Sequence, residues 1–176
     1  MAGRVVPHPL SEEIRRRMQT TSQRHTGPER AVQQQLDSAG LRYETDTRAV
    51  PSLRSRPDIL FPAERLAVFV DGCFWHACPE HGTLPKNNAG WWAAKLAANR
   101  RRDEEAGRIL TETGWIVLRF WEHDDPLIAA ENVLKAVSRR RTALAAYPAT
   151  GGPTKQSKPG EVAAANAEDP ASQPRE

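Results

Sequence analysis

The chain has 176 residues, with 25 Lys and Arg against 22 Asp and Glu, giving a formal net charge of +3. That length suits one folded domain with a tail and leaves little room for a second core. Hydrophobic residues at 39% and charged residues at 27% exclude a wholly disordered chain, and no apolar run approaches the ~20 residues that span a bilayer. Met1 to Leu10 carries no apolar stretch of the kind a secretory leader needs. Two cysteines cannot build a disulfide framework, so a cytoplasmic location is expected.

In chain order, Ser11-Glu12-Glu13 opens a short helix to about Gln19, with acids at its positive end. Thr26-Gly27-Pro28-Glu29 has the form of a capping box, Thr at N-cap and Glu at N3, and starts a helix that runs to Ser38 and stops at Gly40. Leu41 to Ala49 alternates weakly and reads as a strand. Asp58-Ile59-Leu60-Phe61 and Leu66-Ala67-Val68-Phe69-Val70 flank Pro62-Ala63-Glu64-Arg65 and read as a hairpin. Cys73 to Asn88 is an irregular loop. Trp91 to Thr113 reads as a long helix ended by Gly114, and Trp115 to Trp121 as a largely buried strand. Asp125 with Pro126 at N1 begins a last helix through Leu127, Val133, Leu134 and Val137. Residues 1–25 form an arm and 26–147 the folded domain; 148–176, rich in Pro, Gly, Ala and Ser, form a disordered tail.

A pI near 9.1 permits nucleic-acid binding without creating a strong field. The local clusters are more telling: Arg15-Arg16-Arg17, Arg100-Arg101-Arg102 and Arg139-Arg140-Arg141. A guanidinium forks onto two phosphate oxygens, although each triplet also suits a solvated helix face. Trp75, Trp91, Trp92, Trp115 and Trp121 crowd the middle of the chain near both cysteines, so this stretch needs large flat surfaces.

A hairpin turning between Ala63 and Glu64 pairs residues whose numbers sum to about 127. Asp58 then lies across from Phe69, beside Val70 and Asp71. Two carboxylates and a backbone carbonyl at one strand end suit Mg²⁺, which stabilises charge on a phosphoryl group and activates water; the alternative is ordinary strand-end acids. Cys73, Cys78 and His81 have the spacing C-x4-C-x2-H and suit zinc. His76 and His123 are both candidates for the fourth ligand. Closing a structural site by tying the loop to the core favours His123, which leaves His76 free for chemistry.

Several segments resemble the very short patch repair (Vsr) DNA mismatch endonucleases. They are Arg56-Pro57-Asp58; Val68-Phe69-Val70-Asp71-Gly72-Cys73-Phe74-Trp75-His76; Leu84-Pro85-Lys86; Trp92 to Asp103, including Lys95, Asn99 and Asp103; and Gly114-Trp115 through Trp121-Glu122. The resemblance covers about residues 11 to 126. It implies an α/β fold with a restriction-endonuclease-like core, a mixed central sheet flanked by helices, and a structural zinc loop. It also implies Mg²⁺-dependent nicking of DNA on the 5′ side of the thymine in T:G mismatches left by 5-methylcytosine deamination.

Carried across by position, the family pattern makes Asp58 a metal ligand, Val70 a metal-binding backbone carbonyl, His76 the base that activates water, and Glu29 a supporting acid. Zinc ligands are Cys73, Cys78, His81 and His123. Phe74, Trp75 and Trp92 match aromatics that wedge beside the mismatch. Arg15, Arg16 and Arg17 match an arm that reaches the DNA from the other groove, and Lys86, Lys95 and Asn99 are further DNA-contact candidates. Well-known members have Thr at the Val70 position, His at that of Asp71 and often Cys at that of His123, which leaves Asp71 a candidate direct metal ligand. The resemblance further implies a monomer acting on mismatched duplex DNA, with mismatch-repair proteins as candidate partners. Other readings are a related nuclease of different target and a non-catalytic, zinc-stabilised DNA-binding module.

Overall fold

The computed structural model of the chain describes residue 16 and residues 26–146. The tail expected from residue 148 and the helix expected over 11–19 lie outside the described residues, apart from Arg16, which is helical and exposed. The elements run α1 (Gly27–Ser38), β1 (Ile59–Phe61), β2 (Leu66–Asp71), α2 (Ala89–Glu112), β3 (Ile116–Trp121) and α3 (Pro126–Ala146). Among the described residues no helix is long and apolar enough to cross a membrane.

The sheet has strand order β1-β2-β3. β1 and β2 are antiparallel, with Ile59 opposite Val68, Leu60 opposite Ala67 and Phe61 opposite Leu66. Each pair sums to 127, the register that the turn implied. β3 runs parallel to β2, from Leu66 opposite Ile116 to Asp71 opposite Trp121. A parallel neighbour needs a long crossover, and α2 supplies it.

Alternation along the strands sends side chains to two faces. Ile59, Phe61, Leu66 and Val68 pack with Val32 and Leu36 of α1 and with Ala129, Ala130, Val133 and Val137 of α3. Leu60, Ala67 and Phe69 pack on the other face with Ala106 and Leu110 of α2. Three layers result, helices on both faces of a mixed α/β sheet.

Both long-range helix stops follow from glycine. Gly40 has φ +71 and Gly114 φ +84. In each case the next residue's N–H reaches back to the carbonyl five before it, Leu41 to Leu36 at 3.1 Å and Trp115 to Leu110 at 3.0 Å. That is the paired bonding of a Schellman end, which needs a left-handed residue. Asp125 caps α3, its Oδ1 accepting from Leu127 N–H at 2.8 Å.

Four expectations are corrected. Thr26 is the N-cap of α1 but caps no backbone N–H with its side chain; its hydroxyl instead donates to Oε1 of the buried Glu29 at 2.9 Å. Leu41 to Ala49 is not a strand. It touches the sheet through one bridge, Glu44 to Leu60, and Asp46 at φ 56 breaks any extended run. The strand over Trp115–Trp121 begins at Ile116 and is half-buried rather than buried, apart from exposed Arg119, as befits a strand with a partner on one side only among the described residues. In the last arginine triplet, Arg140 Nε donates to the Glu64 carbonyl at 2.9 Å and Arg141 Nε to Glu64 Oε1 at 2.7 Å, so these two are engaged in tying α3 to the hairpin turn.

Leu36 is fully buried between the sheet and α3, and Leu36→Ala is expected to destabilise the fold by about 2–5 kcal/mol through lost burial and a residual cavity. Denaturant unfolding with an unchanged slope checks this; a loss below about 1 kcal/mol would show that the site collapses around the gap.

Candidate active site and metal cluster

Asp58 stands just ahead of β1, where the hairpin register delivers it to the end of β2. Its N–H donates to the Val68 carbonyl at 3.0 Å, and its Oδ2 accepts from Val70 N–H at 2.7 Å. This is the carboxylate's one hydrogen bond among the described residues. Burial pushes the Asp58 carboxyl up to about 7; the Val70 N–H pulls it down, Glu29 and Asp71 push it further up, and Arg119 opposes them. A buried acid crowded by other acids is costly to ionise, so an added cation would be strongly favoured here.

Glu29, Asp58, Asp71, His76, Asp103 and Arg119 converge on one cleft of about 500 Å³, with Val70, Gly72, Trp75, Lys95 and Asn99 also in its wall. Glu29 comes from α1, Asp103 from α2 and Arg119 from β3, so all three layers contribute. Asp71 shares its sheet face with Phe69, and both of its oxygens are engaged: Arg119 Nη2 lies 2.7 Å from Oδ1 and Nε 2.7 Å from Oδ2. The Arg119 guanidinium lies 4.8 Å from the Phe69 ring centre, a cation–π contact that fixes its plane.

His76 turns into this cleft and not into the cysteine loop. Its Nδ1 lies 2.6 Å from Asp103 Oδ2 and 3.6 Å from Asp71 Oδ1. A carboxylate this close accepts a hydrogen bond from Nδ1–H, which assigns the tautomer and leaves Nε2 as the basic nitrogen. Burial pulls the His76 imidazole down. The hydrogen bond to Asp103 and the charges of Asp71 and Asp103 outweigh that and the opposing Arg119, so it ends above its ordinary 6.5.

The cysteine loop forms a second centre. One ligand atom from each of Cys73, Cys78, His81 and His123 lies within 4.8 Å of the others. Cys73 Sγ is 3.0 Å from His123 Nδ1, which is 3.2 Å from His81 Nδ1. A tetrahedral ion with bonds of about 2.0–2.3 Å needs ligand separations of about 3.3–3.8 Å, so small shifts would admit one. Two thiols and two imidazoles suit a borderline-soft ion. His123, and not His76, joins this group. Gly82 closes the loop where a Cβ would overlap the Cys78 carbonyl oxygen. Glu122 ties the cluster to the sheet, its Oε1 accepting from Cys73 N–H at 2.7 Å.

Beside the cleft stands an aromatic wall. Phe74 lies 5.0 Å from Trp75 and 5.2 Å from Trp92, and Trp91 lies 4.8 Å from Trp92, all edge to face. Trp92 is 8% exposed; it follows the buried stripe of α2 with Leu96, Ala106 and Leu110 and supports the others from beneath. Phe74, Trp75 and Trp91 are half-buried. Lys95 Nζ sits 6.0 Å from the Trp75 ring and 5.2 Å from that of Trp91. Asn99 Nδ2 donates to the Trp75 carbonyl at 3.0 Å, which holds Trp75 in place, and Arg102 donates to Asn99 Oδ1. Lys86 is exposed on the loop before α2, and of the arm arginines Arg15 and Arg17 lie outside the described residues.

Arg119 and the service of Asp103 to His76 are absent from the expectations drawn from sequence. A signal for Arg119 was available: it is the one charge inside Trp-Ile-Val-Leu-Arg-Phe-Trp, and a charge in an apolar strand demands a partner.

The family described as DNA mismatch endonuclease Vsr matches the chain over residues 11–80. The type II nicking enzyme V.NaeI of Lentzea aerocolonigenes is 42% identical over 126 residues, 70% of this chain and 76% of that protein. The type II nicking enzyme V.XorIIP of Xanthomonas oryzae pv. oryzae is 41% identical over 116 residues, 64% and 82% of the two chains. The DNA mismatch endonuclease Vsr of Escherichia coli strain K12 is 32% identical over 108 residues, 60% and 66% of the two chains. Glu29, Asp58, Asp71 and His76 of the cleft lie within the matched residues 11–80, and this chain belongs to the Vsr family and is a DNA endonuclease.

Proposed function

We propose that the chain nicks one strand of duplex DNA 5′ to the thymine of a T:G mismatch, by Mg²⁺-dependent hydrolysis. The observation that carries this reading is the single cleft in which Asp58, Glu29 and the His76–Asp103 pair stand beside an aromatic wall. The sheet with α2 as its crossover fits a restriction-endonuclease-like core. Zinc suits the two-thiol, two-imidazole cluster and would lock the loop that carries Phe74, Trp75 and His76. Residues 1–25 are proposed as the DNA-binding arm.

Asp58, with the Val70 carbonyl and support from Glu29, would hold Mg²⁺. When bound, that ion supplies positive charge against the scissile phosphate and acidifies water. His76 accepts a proton at Nε2 from the attacking water, with Asp103 holding the ring by Nδ1. Asp71, paired by Arg119 on both oxygens, acts on the charge of His76 rather than as a ligand. In the proposed in-line displacement the water oxygen bonds to phosphorus as the P–O3′ bond breaks, leaving a 5′ phosphate and a 3′ oxygen that takes a proton from water to become the hydroxyl.

Recognition follows from the wall. A T:G pair stacks less firmly than a matched pair, so wedging it open costs less. Each base laid on an aromatic face returns about 1–3 kcal/mol, which is comparable with the opening cost. Phe74 and Trp75 offer those faces, with Lys95 adding charge for the backbone and Trp92 as their floor. Cationic side chains hold phosphates without reading sequence.

Asp58→Asn is expected to lower Mg²⁺-dependent nicking by about a thousandfold or more while duplex binding persists, measured by nicking and mobility-shift assays on one T:G duplex. Retained nicking would remove Asp58 from the site. Trp75→Ala should shrink the preference for T:G over matched duplex; an equal loss on both would make Trp75 a packing residue only. His123→Ala should lower zinc content, read by atomic absorption, while His76→Ala spares it and abolishes nicking; the reverse would exchange the two histidines. A panel of T:G and matched duplexes identifies the target, and nicking that ignores the mismatch would contradict the mismatch reading.

A further inference from the structure

The acids of the cleft are nearly balanced by its cations, Arg56, Lys95, Arg102 and Arg119, and Arg119 is the one paired with an acid of the cleft. Five acids line it: Glu29, Asp58, Asp71, Asp103 and Glu122. Two-cation hydrolytic sites hold their ions about 4 Å apart and clamp the attacking and leaving oxygens between them. Such a pair needs a carboxylate with oxygens free to face both ions, and Asp71, at the end of the central strand, has the position for it.

Both Asp71 oxygens already face a cation. The Arg119 fork takes both at 2.7 Å, and the same Nη2 lies 3.6 Å from Asp103 Oδ1. His76 Nδ1 closes a ring of four groups, 2.6 Å from Asp103 Oδ2 and 3.6 Å from Asp71 Oδ1. The fork is held flat over Phe69 at 4.8 Å. A planar guanidinium engaged bidentately keeps its charge at every accessible pH and does not exchange with solution as a bound ion does.

We propose that the Arg119 guanidinium occupies the place of a second divalent cation, limiting the cleft to one hard-cation site at Asp58 while orienting Asp71 and Asp103 around His76. Arg119 is thus a positioning residue. Its bearing on nicking rests on the hydrolytic reading of the cleft, whereas the cation count does not.

The test titrates Mn²⁺ into the full-length, zinc-loaded protein without DNA and reads bound ion by electron paramagnetic resonance. The unsubstituted chain is expected to bind one Mn²⁺. Arg119→Met, which keeps the apolar stem over Phe69 but frees Asp71 and Asp103, should bind two, and Arg119→Met with Asp71→Asn should return to one. Arg119→Lys, which keeps the charge, should bind one. Zinc content and Tm report folding, and Arg119→Gln, also expected to bind two, replaces Arg119→Met should that variant not fold. On a T:G duplex Arg119→Met should lower kcat by about tenfold or more with KM within about threefold, and Arg119→Lys should recover part of the loss. Two ions on the unsubstituted chain, or one on a folded Arg119→Met, overturns the proposal. Nicking that survives Asp58→Asn would instead end the hydrolytic reading and leave the cation count standing.

Discussion

The hydrogen bond from Val70 N–H to Asp58 Oδ2, 2.7 Å long, is where fold and chemistry meet. It exists because Ile59 pairs with Val68, and a slip of one residue would send Asp58 to the other sheet face. The same register sets Asp71 on the face where α2 lies, so Asp103 can reach His76. Burial that favours the sheet makes Asp58 costly to ionise. The layers that stabilise the domain thereby create a place where a cation is wanted.

Two centres share one loop and divide its histidines. His76 goes to the cleft and His81 to the cysteines, where His123 joins it from beyond β3. Backbone bonds from His76 N–H to Gly72 and from Cys78 N–H to Cys73 turn the chain tightly enough to separate them, and Glu122 fastens the loop to the end of β3. A metal ion at the cysteines would therefore stiffen the aromatic wall and the base together. Loops of this length carry function when a rigid scaffold positions them, and here the cluster is that scaffold's extension.

Local chemistry was legible in the sequence wherever a few adjacent residues decide the outcome. The hairpin register followed from the turn, the helix ends from Gly40 and Gly114, the start of α3 from Asp125-Pro126, and the place of His123 beside the cysteines from the advantage of tying a loop to the core. What required tertiary packing was not legible. The Thr26 hydroxyl turns to the buried Glu29. The pairing of Arg119 with Asp71 depends on the parallel register of β2 and β3 across the whole of α2, which no short-range spacing encodes. Which of Trp91 and Trp92 is buried depends on the rotation of α2, and the weak alternation of Leu41–Ala49 yields only a single bridge to β1 because Asp46 turns the chain away.

The account stands on a hard cation gripped by Asp58 beside His76. Anomalous diffraction from crystals of the protein with a T:G duplex and Mn²⁺ locates that ion directly. A peak bound by the Asp58 carboxylate and the Val70 carbonyl, with His76 facing the scissile phosphate, is the result expected. A Mn²⁺ peak elsewhere in the cleft, with Asp58 unligated, would contradict it.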